Sequence, residues 1–320
     1  MLKELKFVHG AVASKDYVPA LNHFRIADGR AEGYNGTLAL STPIALDFKA
    51  MPKATAFVKA IERLPEGKEV AMYLTKTGKL SVKAGNFLVH VDCWPDDDAP
   101  RVAPAGEIYP LPGGMLPVMT KLAPIMGIDA SRPWACGILF RGQSAFATNN
   151  IIVLEHWLPV VFPSPINLPA QAIKEMLRIG EEPVSMQPEA GAITFHYANG
   201  AWLRTSLLAT DWPDLARVLD QGCTPVPVHP EFFDAVRRLD AFIEKAGRLY
   251  LRGDIVATSP HDGEGALAEL VGLNLEGCYH LAQMARLEGL ADTIDLSRYP
   301  APALFFGGML RGAIVGMRAA

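Results

Sequence analysis

No stretch of this 320-residue sequence is apolar for long enough to cross a bilayer. Apolar runs such as 151–154 and 158–162 fall far short of the ~20 residues that a membrane helix requires. The opening MLKELKF is too polar for a secretory leader, so a cytoplasmic protein is expected. Cysteine is scarce: Cys93, Cys136, Cys223 and Cys278 are scattered without CxxC spacing, which fits reduced, buried thiols better than a zinc site or a disulfide framework. There is no surplus of positive charge either. The 30 Lys and Arg against 34 Asp and Glu leave −4, which argues against a basic coat while leaving room for one basic face.

Catalytic signatures are missing as well. There is no HExxH, Walker A or EF-hand loop, and the histidines do not pair at helical metal-ligand spacing. Ser144 lies in Gly142-Gln143-Ser144-Ala145-Phe146, which lacks the second glycine of a nucleophile elbow. Asp96, Asp97 and Asp98 adjoin one another without the glycine of a calcium loop and read as solvated. One motif competes: Gly263-Glu264-Gly265-Ala266-Leu267-Ala268 matches GxGxxA and would support a nucleotide-dependent enzyme. Residues 258–262 separate it from the preceding apolar run, and Glu264 would face a pyrophosphate, so a hairpin loop is the better reading. No enzyme activity, cofactor or metal is expected. A binding or scaffolding role is.

What the sequence does contain is repetition. Three times a β-rich run, a Gly/Asn turn and a second β-rich run recur: 80–83 with Gly85-Asn86 and 87–91; 193–197 with Asn199-Gly200 and 202–207; 303–306 with Gly307-Gly308 and 309–315. The spacing makes a unit of about 110 residues, which is domain-sized rather than solenoid-sized. Each unit opens with a helical window (9–24, 113–129, 229–245) and holds a second one (52–64, 169–180, 274–289), with strand-like sequence between. The expected architecture is α+β: three tandem domains at 1–105, 106–222 and 223–320, each with two helices and antiparallel sheets.

In this order the residues resemble the bacterial DNA polymerase III β sliding clamp family in a divergent, shortened form such as a phage encodes. The similarity runs over nearly the whole chain. In the first unit it rests on 64–71 and 79–85; in the second on Gly137-Ile138-Leu139-Phe140, Phe146-Ala147-Thr148-Asn149 and 203–219; in the third on Gly272-Leu273-Asn274 and the tail Ile314-Val315-Gly316-Met317-Arg318. Two departures fall on the family's partner-binding region: Asn149-Asn150-Ile151-Ile152 replaces Asp-Gly-His-Arg, and Gly316 stands where the tail has proline.

The resemblance implies a homodimer whose six domains close a ring around double-stranded DNA, without sequence preference, to hold a polymerase on its template. A clamp-like interaction protein that does not encircle DNA is the other reading. Helices would line the hole, and the six windows carry eleven Lys and Arg against ten acids, a weak positive bias. The DNA-facing candidates are Lys15, Lys53, Lys59, Arg63, Lys121, Arg132, Trp134, Lys174, Arg178, Arg237, Arg238 and Arg286; Trp134 is either a stacking platform for a base or a core residue. Short peptides of the polymerase and of a clamp loader would dock on a cleft formed by Ala135, Thr148, Asn150, Ile151, Val153, Val218, Leu219, Ile314, Val315 and Met317. The ring seam would join the edge strand holding Val89 and Val91 to the surface of Phe242 and Ile243.

Overall fold

The computed structural model describes residues 1–14, 18–95, 100–208 and 211–319; Lys15 and Asp96 to Asp98 lie outside them. The chain divides into two compact units, the first made of 1–116 and 174–207, the second of 117–173 and 208–320. The division cuts through the middle of the three sequence repeats, and strand pairing explains why. Leu38–Pro43 of the first repeat pairs antiparallel with Trp202–Ser206 of the second, so both belong to one seven-stranded sheet. Leu310–Ile314 of the third repeat pairs likewise with Ile152–Pro169 of the second, inside a six-stranded sheet.

In the first unit, the seven-stranded sheet runs in the order Arg25–Ala27, Arg30–Tyr34, Leu38–Pro43, Trp202–Ser206, Ala192–His196, Ser185–Glu189 and Tyr109–Pro110. The helices Leu2–His9 and Ala54–Glu62 lie beside each other, joined by an ion pair between Lys6 and Glu62 at 2.8 Å. Helix Ala54–Glu62 buries Ala54, Phe57, Val58 and Ile61 and leaves its charged residues outside, the amphipathic division that holds a surface helix to its core. A three-stranded sheet of Val70–Leu74, Leu80–Ala84 and Phe87–Val91 completes this unit. Here the first expected hairpin appears in register, Ala84 opposite Phe87 across Gly85-Asn86.

The second unit holds the six-stranded sheet, in the order Val226–Pro227, Thr293–Asp295, Ala303–Gly307, Leu310–Ile314, Ile152–Pro169 and Gly137–Thr148. It also holds a four-stranded sheet, Leu267–Glu269, Ile255–Ala257, Arg248–Gly253 and Leu275–His280, with the helices Phe232–Asp240 and Leu281–Ala285. Phe305, Ile314, Leu154 and Phe140 are fully buried in its core. The GxGxxA stretch leads into the strand Leu267–Glu269, paired to Ile255–Ala257, and not into a helix. A dinucleotide fold requires that helix, so the hairpin reading holds and the nucleotide-dependent enzyme loses its basis.

Two helical windows need correction. The first helix is Leu2–His9, not 9–24: Leu5 and Val8 fill its inner face, and the chain leaves the helix at Gly10. In the window 274–289, Leu275–His280 is a strand and only Leu281–Ala285 is helical. Pairing to Arg248–Gly253 along its whole length overrides the local helical preference there.

The two glycines of the third hairpin have different duties. Gly308 sits at φ +55°, a left-handed position, whereas a Cβ on Gly307 would lie 2.0 Å from the Leu290 carbonyl oxygen. Gly307→Ala is therefore expected to cost about 2 kcal/mol in urea denaturation, and Gly308→Asn, which tolerates the left-handed region, little.

Candidate functional site

Four strands of the six-stranded sheet turn one face toward the short helix Ala216–Leu219. Side chains alternate along a strand, so the register places Phe146 and Thr148, Val153 and Glu155, Arg311 and Ala313, and Leu304 and Phe306 together on that face. Val153, Leu219, Leu304 and Ala313 form its buried apolar centre, and Phe146, Leu215, Val218, Cys223 and Phe306 pack around them half-buried. A partly covered apolar patch of this kind suits an apolar side chain brought by another molecule.

One end of the patch is polar. Glu155, 5% exposed, accepts hydrogen bonds from Ser144 Oγ at 2.6 Å and from Arg311 Nε at 2.7 Å. Arg311 Nη1 donates to Asp220 Oδ1 at 2.7 Å, and the guanidinium lies 5.7 Å from the centroid of the Trp157 ring. Burial opposes the Arg311 charge, yet the bonds to Glu155 and Asp220 outweigh it and hold the group above its ordinary value. Beside it, burial pushes the His156 imidazole down.

The turn entering the strand Ile152–Pro169 explains the unusual Asn-Asn. Asn149 Oδ1 accepts the N–H groups of Ile151 and Ile152 at 3.0 and 2.8 Å, while Asn150 takes φ +70°. Both are residues that close a turn through their own side chain or tolerate the left-handed region. Asn149 Nδ2 also donates to Gln283 at 2.7 Å, fixing the turn to the helix Leu281–Ala285.

Of the ten expected cleft residues, Thr148, Val153, Val218 and Leu219 meet on this face. Ala135 and Ile314 do not: at 1% and 0% exposure they are core, and Ile314 pairs with Ile152, whose alternation sends both to the opposite side of the sheet. Asn150 and Val315 are exposed, Ile151 and Met317 half-buried; Val315 N–H donates to the Ile151 carbonyl at 2.9 Å and Met317 N–H to that of Cys278 at 2.7 Å. Leu304, Phe306, Ala313, Phe146 and Leu215 escaped the sequence reading. Alternation within the third hairpin could have found 304, 306 and 313 once their strand partner was known.

The expected DNA-facing residues fall into classes. Lys53, Lys59, Arg63, Lys121, Arg132, Lys174 and Arg238 are exposed and form no ion pair among the described residues. Arg178 is bound to the buried Glu175 and donates to the Phe7 carbonyl at 2.9 Å, and the Glu175 bonds raise its pKa. Arg237 is paired with Asp234 and Glu288, and Arg286 donates to the Pro124 carbonyl at 2.6 Å. These three have partners within their own unit. Trp134 is half-buried, edge-on to Trp212 with centroids 5.2 Å apart. The displaced first helix contributes Lys3 and Lys6, which the window 9–24 excluded; both carry carboxylate partners, Glu181 and Glu62.

At the expected seam, Phe87–Val91 is an edge strand, with Val89 half-buried and Leu88 exposed. Val91, at 2%, belongs to the core. Phe242 is 64% exposed and Ile243 half-buried, close to the edge strand Leu267–Glu269 with which Phe242 lines a cavity of about 410 Å³.

No protein-family model matches this sequence, and no curated protein matches it. Solved structures do. A DnaN sliding clamp (DNA polymerase III subunit β) from Pseudomonas aeruginosa, bound to griselimycin, superimposes with a TM-score of 0.85 at 20% identity, covering 100% of this chain and 97% of its own. A putative DNA polymerase III β subunit from Eubacterium rectale gives 0.83 at 12% identity. The Helicobacter pylori β clamp bound to a DNA ligase peptide gives 0.82 at 13%, and both cover 99% of this chain and 97% of their own. The chain therefore has the bacterial sliding-clamp fold.

Breaking the polar end of the patch tests its construction. Arg311→Met leaves the buried Glu155 without its cation and is expected to cost about 3–5 kcal/mol by urea denaturation, most of it recovered when Glu155→Gln is added.

Proposed function

We propose that this protein is itself a DNA sliding clamp: a processivity factor, without catalytic activity of its own, that encircles duplex DNA in the cytoplasm and tethers a replicative polymerase. The observation that carries the reading is the end-to-end likeness to clamp structures, which leaves almost no part of either chain unmatched. The repeat fits it. In this reading the segments 1–105, 106–222 and 223–320 are three equal arcs, and two chains supply six.

Holding DNA by topology needs no tight contact, and weak phosphate contacts are those that permit sliding. A chain with a net charge of −4 can do this through a few unpaired cations on its helices. Lys53, Lys59 and Arg63, exposed on one helix and at its two caps, are the best candidates. The seam would pair the edge strand Phe87–Val91 with the edge at Leu267–Glu269 of a second copy, covering Phe242 and Ile243 and removing two open strand edges at once. Partner peptides, from polymerase and loader, would dock on the patch of Val153, Leu219, Leu304 and Ala313.

Three measurements test this. Light scattering should give twice the chain mass of 34.6 kDa. Protein loaded on a nicked circular plasmid should be lost when the plasmid is linearised; retention on linear DNA would refute topological holding. A stable monomer that never stays on circles would instead favour a clamp-like protein that does not encircle DNA. Replacing Lys53, Lys59 and Arg63 by Glu should weaken DNA retention about tenfold at low salt and flatten its salt dependence, while leaving the dimer mass unchanged.

A further inference from the structure

We propose that the partner segment docking on the apolar patch carries a basic side chain two residues from its apolar anchor. The proposal rests on the peptide-docking reading above and adds the charge of the ligand. Moving two residues along the strands from Val153 and Ala313 leads to Glu155 and Arg311, about 7 Å away. There a single guanidinium is shared by two carboxylates, with Nε on Glu155 and Nη1 on Asp220. Glu155 is sealed in, its side chain 7% exposed. The Asp220 side chain is 55% exposed, and its Oδ2 has no hydrogen-bond partner among the described residues.

The other charges around the patch point the same way. The covering segment adds Asp214 and Arg217, which approach each other at 3.7 Å with the Arg217 side chain 85% exposed. On the far side, Asp295 accepts the Thr224 N–H and the Ser297 hydroxyl, while Arg298 donates to the Gly222 and Pro302 carbonyls and to Gln221. Glu155, Asp214, Asp220 and Asp295 thus stand against Arg217, Arg298 and Arg311, and the Arg298 and Arg311 guanidiniums are already hydrogen-bonded within the fold. An acidic residue two positions from the anchor would find the Arg311 guanidinium already shared by two carboxylates and would meet Asp220. A lysine or arginine would find in Asp220 a half-exposed carboxylate with an oxygen to spare.

The test is fluorescence anisotropy on the full chain with three labelled extended peptides. They share one leucine anchor and differ in a single residue two positions away, Lys, Gln or Glu. At low salt the Lys peptide should bind about fivefold more tightly than the Glu peptide, a difference that high salt erases. Asp220→Asn should abolish the preference and Asp220→Lys should invert it. If the Gln peptide binds and Val218→Glu displaces it, yet Lys brings no gain over Glu, the charge inference is wrong while the docking face stands. If none of the three binds, both fall.

Discussion

Pairing between strands far apart in sequence is the constraint on which the rest of this structure depends. Leu38–Pro43 finds its partner in Trp202–Ser206, and Leu310–Ile314 finds its partner in Ile152–Pro169. Each of these ladders closes a loop of more than a hundred residues. The closure entropy grows only slowly with that length, whereas every added cross-strand pair contributes packing and hydrogen bonds. The result is two compact units whose boundaries ignore the period of the repeat. The seven-stranded and six-stranded sheets are each completed only by a neighbouring repeat.

The same pairing builds the apolar patch proposed to dock partner peptides. Val153 and Ala313 are 160 positions apart in numbering and directly opposite in register, and Leu304 follows on the next strand. An apolar patch assembled from four strands and a covering helix has no local signature, because each strand contributes only one or two residues to it. The polar end is assembled in the same way, with Ser144, Glu155, Arg311 and Asp220 drawn from four separate segments. Burying a carboxylate is costly unless its hydrogen-bond positions are filled. Here a hydroxyl fills one oxygen and a guanidinium the other.

The charge pattern is economical in a different way. Cations on the helices are partly consumed by the fold: Arg178 secures Glu175 and the end of the first helix, and Arg237 pairs with Asp234 of its own helix and with Glu288 in the turn after Leu281–Ala285. Seven candidates form no ion pair among the described residues, a modest set that suits a protein whose proposed grip on DNA is topological rather than adhesive. Tight phosphate binding would impede sliding.

The amino-acid sequence by itself determined the α+β class, the three hairpins and four of the six helical windows, because turn residues and amphipathic spacing act over a few positions. The hairpin across Gly85-Asn86 and the helices Ala54–Glu62, Ala170–Ile179 and Phe232–Asp240 are where those signals predict them. The first helix was legible too, in the spacing of Leu2, Leu5 and Val8, although the window at 9–24 passed over it. Only the tertiary structure decided which face each apolar residue takes. Ile314 and Val315 look alike in the sequence, yet one is core and the other exposed, since Ile314 ends a strand with its side chain in the core while Val315 lies just beyond it. It alone decided which cations are free, because an ion pair depends on proximity that sequence distance does not encode. It also turned 275–280 from helix to strand, through a ladder to Arg248–Gly253 that no local propensity could announce.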